Sequence, residues 1–158
     1  MEKKIVYVDM DGVVADFDKK MFELCPELDI KEGVNWDERS REVDKICLLN
    51  PHIFLNLELI KGALEAIKQL NEKYEIYFLS SPMWALPECF MDKRKWLEKY
   101  FGDLAKHKLI LTKRKDLNIG DYLIDDTTRN GAGEFKGKHI MFGSKEFPDW
   151  EAVIKHLT

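Results

Sequence analysis

Ile5-Val6-Tyr7-Val8-Asp9-Met10-Asp11-Gly12-Val13-Val14-Ala15-Asp16 carries the first sign of the fold. Four consecutive apolar residues, mostly β-branched, are too few for an ordinary helix and lack the alternation of a half-solvated strand. Such a run suits a strand buried on both faces of a parallel sheet. It stops at two aspartates one residue apart, followed by glycine, so the strand is predicted to end in a turn rich in carboxylates.

Runs of the same kind recur at Ile76 to Leu79, Leu109 to Leu111, Tyr122 to Ile124 and His139 to Phe142. Between them lie three- and four-residue spacings typical of helices: Ala63, Ile67 and Leu70; Phe90, Trp96, Leu97 and Phe101; Trp150, Val153, Ile154 and Leu157. Alternating strand and helix patterns predict an α/β fold with a Rossmann-like, mainly parallel sheet. From about Phe17 to Asn56 the rhythm changes. Asp16 is placed as an N-cap before Phe17, Met21 and Leu24, Cys25-Pro26 interrupts, and a second helical piece follows near Asp37 to Leu49. The chain is therefore read as a single domain, with a core of about 1–16 and 57–158 and a small helical cap, about 17–56, inserted after the first strand.

A length of 158 residues with a 45% hydrophobic share is enough for one core without disulfides or structural metal. Cys25, Cys47 and Cys89 are odd in number and far apart, which suggests neither a disulfide framework nor a zinc site. A net charge of -4 offers no global field for a nucleic acid polymer or an anionic membrane. No stretch has the length of a membrane span or of a secretory leader, and a cytoplasmic protein is expected. His52, His107, His139 and His156 are scattered and need no catalytic role. The oligomeric state stays open.

In an open parallel sheet, ligands lie outside the carboxyl ends of the strands. Those ends are Asp9-Met10-Asp11-Gly12, Ser80-Ser81-Pro82, Thr112-Lys113-Arg114-Lys115 and Asp125-Asp126-Thr127. Gathering Asp9, Asp11, Asp125 and Asp126 at one edge is costly, because like charges disfavour one another's ionised forms unless a cation intervenes. All-oxygen ligation without His or Cys favours Mg2+, which commonly shares its site with a substrate phosphate. A calcium loop of the EF-hand kind is excluded, since Val13 stands at the third alternating position and no helix precedes Asp9.

These motifs resemble the haloacid dehalogenase-like hydrolases. The family's DxDGxxxD motif stands here as Asp9 to Asp16, its hydroxyl residue as Ser80, its helix lysine as Lys93 and its acidic pair as Asp125-Asp126. Within that superfamily the phrases DMDGVVADF, SSP, KWLEKYFG, LTKRKD and YLIDD are similar to the 5'(3')-deoxyribonucleotidase family. The resemblance implies a phosphatase acting on a small phosphate monoester, foremost a nucleotide. Asp9 is then the nucleophile, Asp11 the general acid and base, and Asp9, Asp11, Asp125 and Asp126 the surroundings of the metal. Ser80, Ser81 and Lys93 are expected on the phosphate, and Phe17, Trp84 and Lys113 on the rest of the substrate, with Trp36 and Arg114 as further candidates. The chain departs from the animal members at Met83-Trp84, where they carry a basic residue, and at Lys113, where they carry arginine. The cap lacks their aromatic pair, yet its lining is expected to be aromatic rather than strongly basic.

Two other readings compete. A carbon–halogen hydrolase on the same scaffold needs neither a second carboxylate two residues on nor a metal, so Asp11 argues against it. A phosphate-ester sensor without turnover is disfavoured by the presence of both Asp9 and Asp11.

Overall fold

A computed structural model describes residues 2–28 and 35–158 of the chain, without the side chain of Trp36. The five short apolar runs form one parallel sheet: β1 (Ile5–Val8), β2 (Glu75–Ser80), β3 (Leu109–Leu111), β4 (Tyr122–Asp125) and β5 (Lys138–Met141). Its order is β3-β2-β1-β4-β5. Register pairs Val8 with Phe78 and with Ile124, so β1, β2 and β4 finish within two residues of one another.

The period of two along each strand sorts side chains onto two faces. Val6, Val8, Ile76, Phe78 and Ile124 join the large core on one side. Tyr7, Leu79 and Leu123 join a smaller cluster with Ala132 and Phe135 on the other. The large core takes the apolar faces of α3 (Ala63–Lys73), α4 (Pro87–Phe101) and α5 (Trp150–Leu157) through Ala66, Ile67, Leu70, Trp96, Leu97, Trp150 and Val153. Each fully buried aliphatic side chain of this set contributes about 1.5–3 kcal/mol. Helix starts follow capping chemistry. Pro87 opens α4, and Asp149 accepts a hydrogen bond from the Ala152 amide at the head of α5.

Between β1 and α3 the chain makes an excursion whose two ends are joined. The Asp16 amide donates to the Glu58 carbonyl and the Ile60 amide to the Val14 carbonyl, each at 2.8 Å. The excursion holds α1 (Phe17–Leu24), α2 (Trp36–Leu49) and a 3-10 turn at Ile53–Leu55. Asp16 caps α1 by accepting from the Lys19 amide, and Asn35 caps α2 by accepting from the Asp37 and Glu38 amides. The part of the expected insertion at 29–34 lies outside the described residues.

Candidate active site

Because the strands run parallel, their carboxyl ends meet at one edge. β1 delivers Asp9 and then a tight loop in which the amides of Val13, Val14 and Ala15 all point at the Met10 carbonyl. The Trp150 indole pins the loop from below by donating to the Val13 carbonyl at 2.8 Å. Gly12 sits at φ +83, and a Cβ there would run into the Asp126 carboxylate, so the position admits no side chain.

Asp9, Asp125 and Asp126 each offer a carboxylate oxygen within 4.8 Å of the others. Lys115, 3% exposed, lies among them. Its Nζ stands 2.9 Å from Asp9 Oδ1 and 2.5 Å from Asp125 Oδ2. Burial works against the charge of this ammonium, but Asp9 and Asp125 outweigh it and raise its pKa. Asp125 also accepts from the Thr127 amide at 2.9 Å. One cation facing three acids leaves a surplus of negative charge. Burial, followed by the neighbouring Asp9 and Asp125, pushes the Asp126 carboxyl up to about 9. Asp9 is raised as well, chiefly by burial, against the opposing pull of Lys115. Hard oxygen donors at this spacing with unbalanced charge fit a small divalent ion such as Mg2+.

A second buried lysine stands beside this group. Lys93 comes from α4 and is 1% exposed. Its Nζ donates to Asp11 Oδ2 at 2.7 Å and to Ser80 Oγ at 2.8 Å, and lies 4.7 Å from the centre of the Phe54 ring. The other Asp11 oxygen, Oδ1, is buried with no hydrogen-bond partner among the described residues.

A cavity of about 390 Å3 opens over the acids, with Asp9, Asp11, Gly12, Asp126 and Lys115 lining its floor. This is near the lower end of ligand pockets, which span roughly 300–1,000 Å3. Phe17 and Asp18 of α1 and Arg39, Ser40, Val43 and Asp44 of α2 line it too, as do Ser81 and Arg129. A larger cavity of about 750 Å3 lies between α4 and β3 but contains none of the clustered acids. The chemistry places the site in the smaller one.

The sequence expectations meet this geometry unevenly. Asp9, Asp11, Asp126, Ser81 and Phe17 line the cavity. Phe17 stacks on Phe54, with ring centres 5.6 Å apart and planes 8° from parallel. Ser81 donates its hydroxyl to the Thr112 carbonyl at 2.8 Å. Asp125, Ser80 and Lys93 stand beneath the lining, each 1% exposed. Trp84 does not reach the cavity: it is 85% exposed in the turn before α4 and rests edge-on against Phe90. Lys113 is exposed and outside the lining, and Arg114 turns away to Asp116. The 3-10 turn that starts at Lys115 explains this, since it sends the third cation of the run inward and leaves the first two in solvent. Sequence reasoning placed Lys115 among the cations of that strand end without singling it out. The aromatic lining expected of the insertion is corrected too. Phe17 is the one aromatic residue among the described lining residues, and α2 presents arginine, serine and aspartate instead. Trp36, named as a partner for Phe17, has its side chain outside the described residues.

Residues 3–152 match the family model described as "5' nucleotidase, deoxy (Pyrimidine), cytosolic type C protein". The chain belongs to this family. Its 5'(3')-deoxyribonucleotidase relatives include a Vibrio phage KVP40 protein named "Putative 5'(3')-deoxyribonucleotidase", 45% identical over 99% of this chain and 86% of the relative. The human "5'(3')-deoxyribonucleotidase, cytosolic type" is 30% identical over 94% of this chain and 78% of its own. Among solved structures, a haloacid dehalogenase-like hydrolase from Xanthomonas campestris superposes with a TM-score of 0.64 at 13% identity, covering 98% of this chain and 91% of the other. A HAD-hydrolase from Bacillus subtilis, solved bound to magnesium, gives 0.63 at 11% identity over 99% of each chain. Both likenesses are of fold alone.

Proposed function

We propose that the protein is a magnesium-dependent phosphomonoesterase that works through an aspartyl-phosphate on Asp9 and prefers deoxyribonucleoside 5'-monophosphates. Its class, phosphoric monoester hydrolase, follows from family membership. The observation that carries the mechanism is the buried Asp9 carboxylate facing the cavity beside Asp126, Asp125 and Lys115.

Asp9 attacks phosphorus in line and takes the phosphoryl group, which divides one hard displacement into two easier ones. Asp11, two residues on and lining the same cavity, gives a proton to the departing alkoxide and later takes one from the attacking water. Lys115 holds Asp9 in place and supplies positive charge where the phosphoryl oxygens arrive. Ser81, which lines the cavity, completes the phosphate end, with Ser80 beneath it. Asp9, Asp126 and Asp125, with the Asp11 carbonyl, would hold Mg2+, which when bound offsets the repulsion between carboxylate nucleophile and phosphate dianion.

Helices α1 and α2 act as the cap, with Phe17 against the sugar or base of the nucleotide. No described helix is long and apolar enough to cross a membrane, and the cytosolic human relative supports a cytoplasmic location. The test is turnover of deoxyribonucleotides, ribonucleotides and sugar phosphates with Mg2+, after chelation, and with Ca2+ in place of Mg2+. Expected are a preference for deoxyribonucleotides, no activity in EDTA, and inhibition by calcium, whose looser coordination does not suit in-line transfer. Full activity in EDTA would overturn the metal role, and a preference for sugar phosphates would overturn the substrate.

A further inference from the structure

We infer that Lys93 is a positioning residue for Asp11 and Ser80, acting through them and not on the substrate phosphate. The inference rests on the proposed mechanism and assigns the second buried lysine a role distinct from that of Lys115.

The geometry separates the two lysines. Lys115 lines the cavity, whereas Lys93 is 1% exposed and does not. An ammonium has three N–H donors and no acceptor. Those of Lys93 have three partners close by: Asp11 Oδ2 at 2.7 Å, Ser80 Oγ at 2.8 Å and the Phe54 ring at 4.7 Å from its centre. No donor is left over for a phosphoryl oxygen. Phe54 is itself held by its stack on Phe17.

Each bond has a chemical consequence. Ser80 accepts through a lone pair, so the ammonium fixes the orientation of its hydroxyl beneath the cavity floor. Asp11 follows a tight loop, and its side chain remains 27% exposed at the cavity. The bond from Lys93 selects one orientation of that carboxyl group. In the first half-reaction Asp9 bonds to phosphorus, the P–O bond to the alcohol breaks, and the Asp11 proton goes to the departing oxygen. In the second, water bonds to phosphorus, its proton goes to Asp11, and the bond from phosphorus to Asp9 breaks to release phosphate. Lys93 exchanges no proton in either half. In the first half-reaction its loss therefore matters in proportion to how much the leaving group needs a proton, whereas in the second, common to all substrates, it slows every ester alike.

Two substrates discriminate: thymidine 5'-monophosphate, which leaves as a basic alkoxide, and p-nitrophenyl phosphate, whose phenolate leaves unprotonated. For Lys93→Met we expect kcat/KM, which reads the first half-reaction alone, to fall roughly 100-fold on the nucleotide and no more than about 5-fold on the aryl ester, the size range of general acid catalysis. The inhibition constant of inorganic phosphate should stay within about 2-fold, since Lys93 does not line the cavity. Lys93→Arg keeps the charge with altered reach and should show the same split in weaker form, which serves if Lys93→Met does not fold. Equal losses on both esters, or a phosphate inhibition constant raised tenfold, would overturn the inference. Asp11→Asn is the control. A selective loss there beside an even loss in the Lys93 variants overturns the inference alone, whereas an even loss in Asp11→Asn overturns the acid role and the inference with it.

Discussion

Lys115 Nζ lies 2.9 Å from the oxygen of Asp9, a residue 106 positions earlier, and 2.5 Å from that of Asp125, ten positions later. One side chain thus ties the end of β1 to the end of β4 and neutralises part of a three-carboxylate cluster. Removing a partner from a buried ion pair costs about 3–5 kcal/mol, because a charge is left uncompensated. Lys115→Met should therefore lower the melting temperature of the metal-free protein markedly, and Mg2+ should recover much of the loss. Thermal melts of both proteins with EDTA and with Mg2+ check this. An unchanged melt in EDTA would show that the lysine is not holding the cluster together.

Asp9→Asn is expected to abolish turnover, since a neutral amide is too weak a nucleophile to form the acyl phosphate. The fold should persist and the metal-free protein should melt no lower than wild type, because one of the clustered carboxylates is gone. Phosphate release at even roughly a hundredth of the wild-type rate would remove Asp9 from the nucleophile's role.

The raised carboxyls make the stability of the metal-free protein depend on pH. Asp126 goes from an ordinary value of 3.8 to about 9 in the folded state, and Asp9 shifts in the same direction. A group whose folded pKa is raised contributes stability below its unfolded pKa and loses it as pH climbs toward the folded one. For these two groups stability should thus decline from about pH 4 to about pH 9 in EDTA, and saturating Mg2+ should flatten that slope. Urea titrations across the range measure it, and a rising slope in EDTA would contradict the arrangement.

Substrate reading should divide between α1 and α2. Phe17→Ala removes an aromatic face worth about 1 kcal/mol, or roughly fivefold in KM for a deoxyribonucleotide. Arg39, which donates to Asp18 at 3.1 Å and lines the cavity, should likewise raise KM for the nucleotide when changed to Ala, with little effect on p-nitrophenyl phosphate. Trp84→Ala, at an exposed position outside the cavity, should leave both constants unchanged. A nucleotide-specific KM defect in Trp84→Ala would restore that residue to the site.

Much of this protein was legible along the chain. The strands at Ile5–Val8 and Leu109–Leu111 match the apolar runs to the residue, and the others differ by a residue at their ends. Asp16 as the cap of α1 was equally readable. These features are local: a run of β-branched residues, or a carboxyl ahead of a helix, needs only its neighbours to act. The parallel order then brings Asp9, Ser80 and Asp125 to one edge, so the acids at the site also follow from the pattern.

The assignment of cations did not follow. Lys113, Arg114 and Lys115 are chemically near-equivalent as written, and only the turn after β3 decides which of them faces the acids. Lys93 carries the spacing of a phosphate-binding lysine, yet its bonds to Asp11 and Ser80 arise from how α4 packs beside β2. The wall of the cavity is likewise a product of helix placement, which turned Arg39 and Ser40 toward it and left Trp84 in solvent. Sequence by itself determined the elements and the acids at their ends, because propensity, capping and strand direction act over a few residues. Tertiary structure alone decided which long side chains meet those acids, because a lysine or arginine reaches its partner across the fold and its direction depends on packing far from it in the chain.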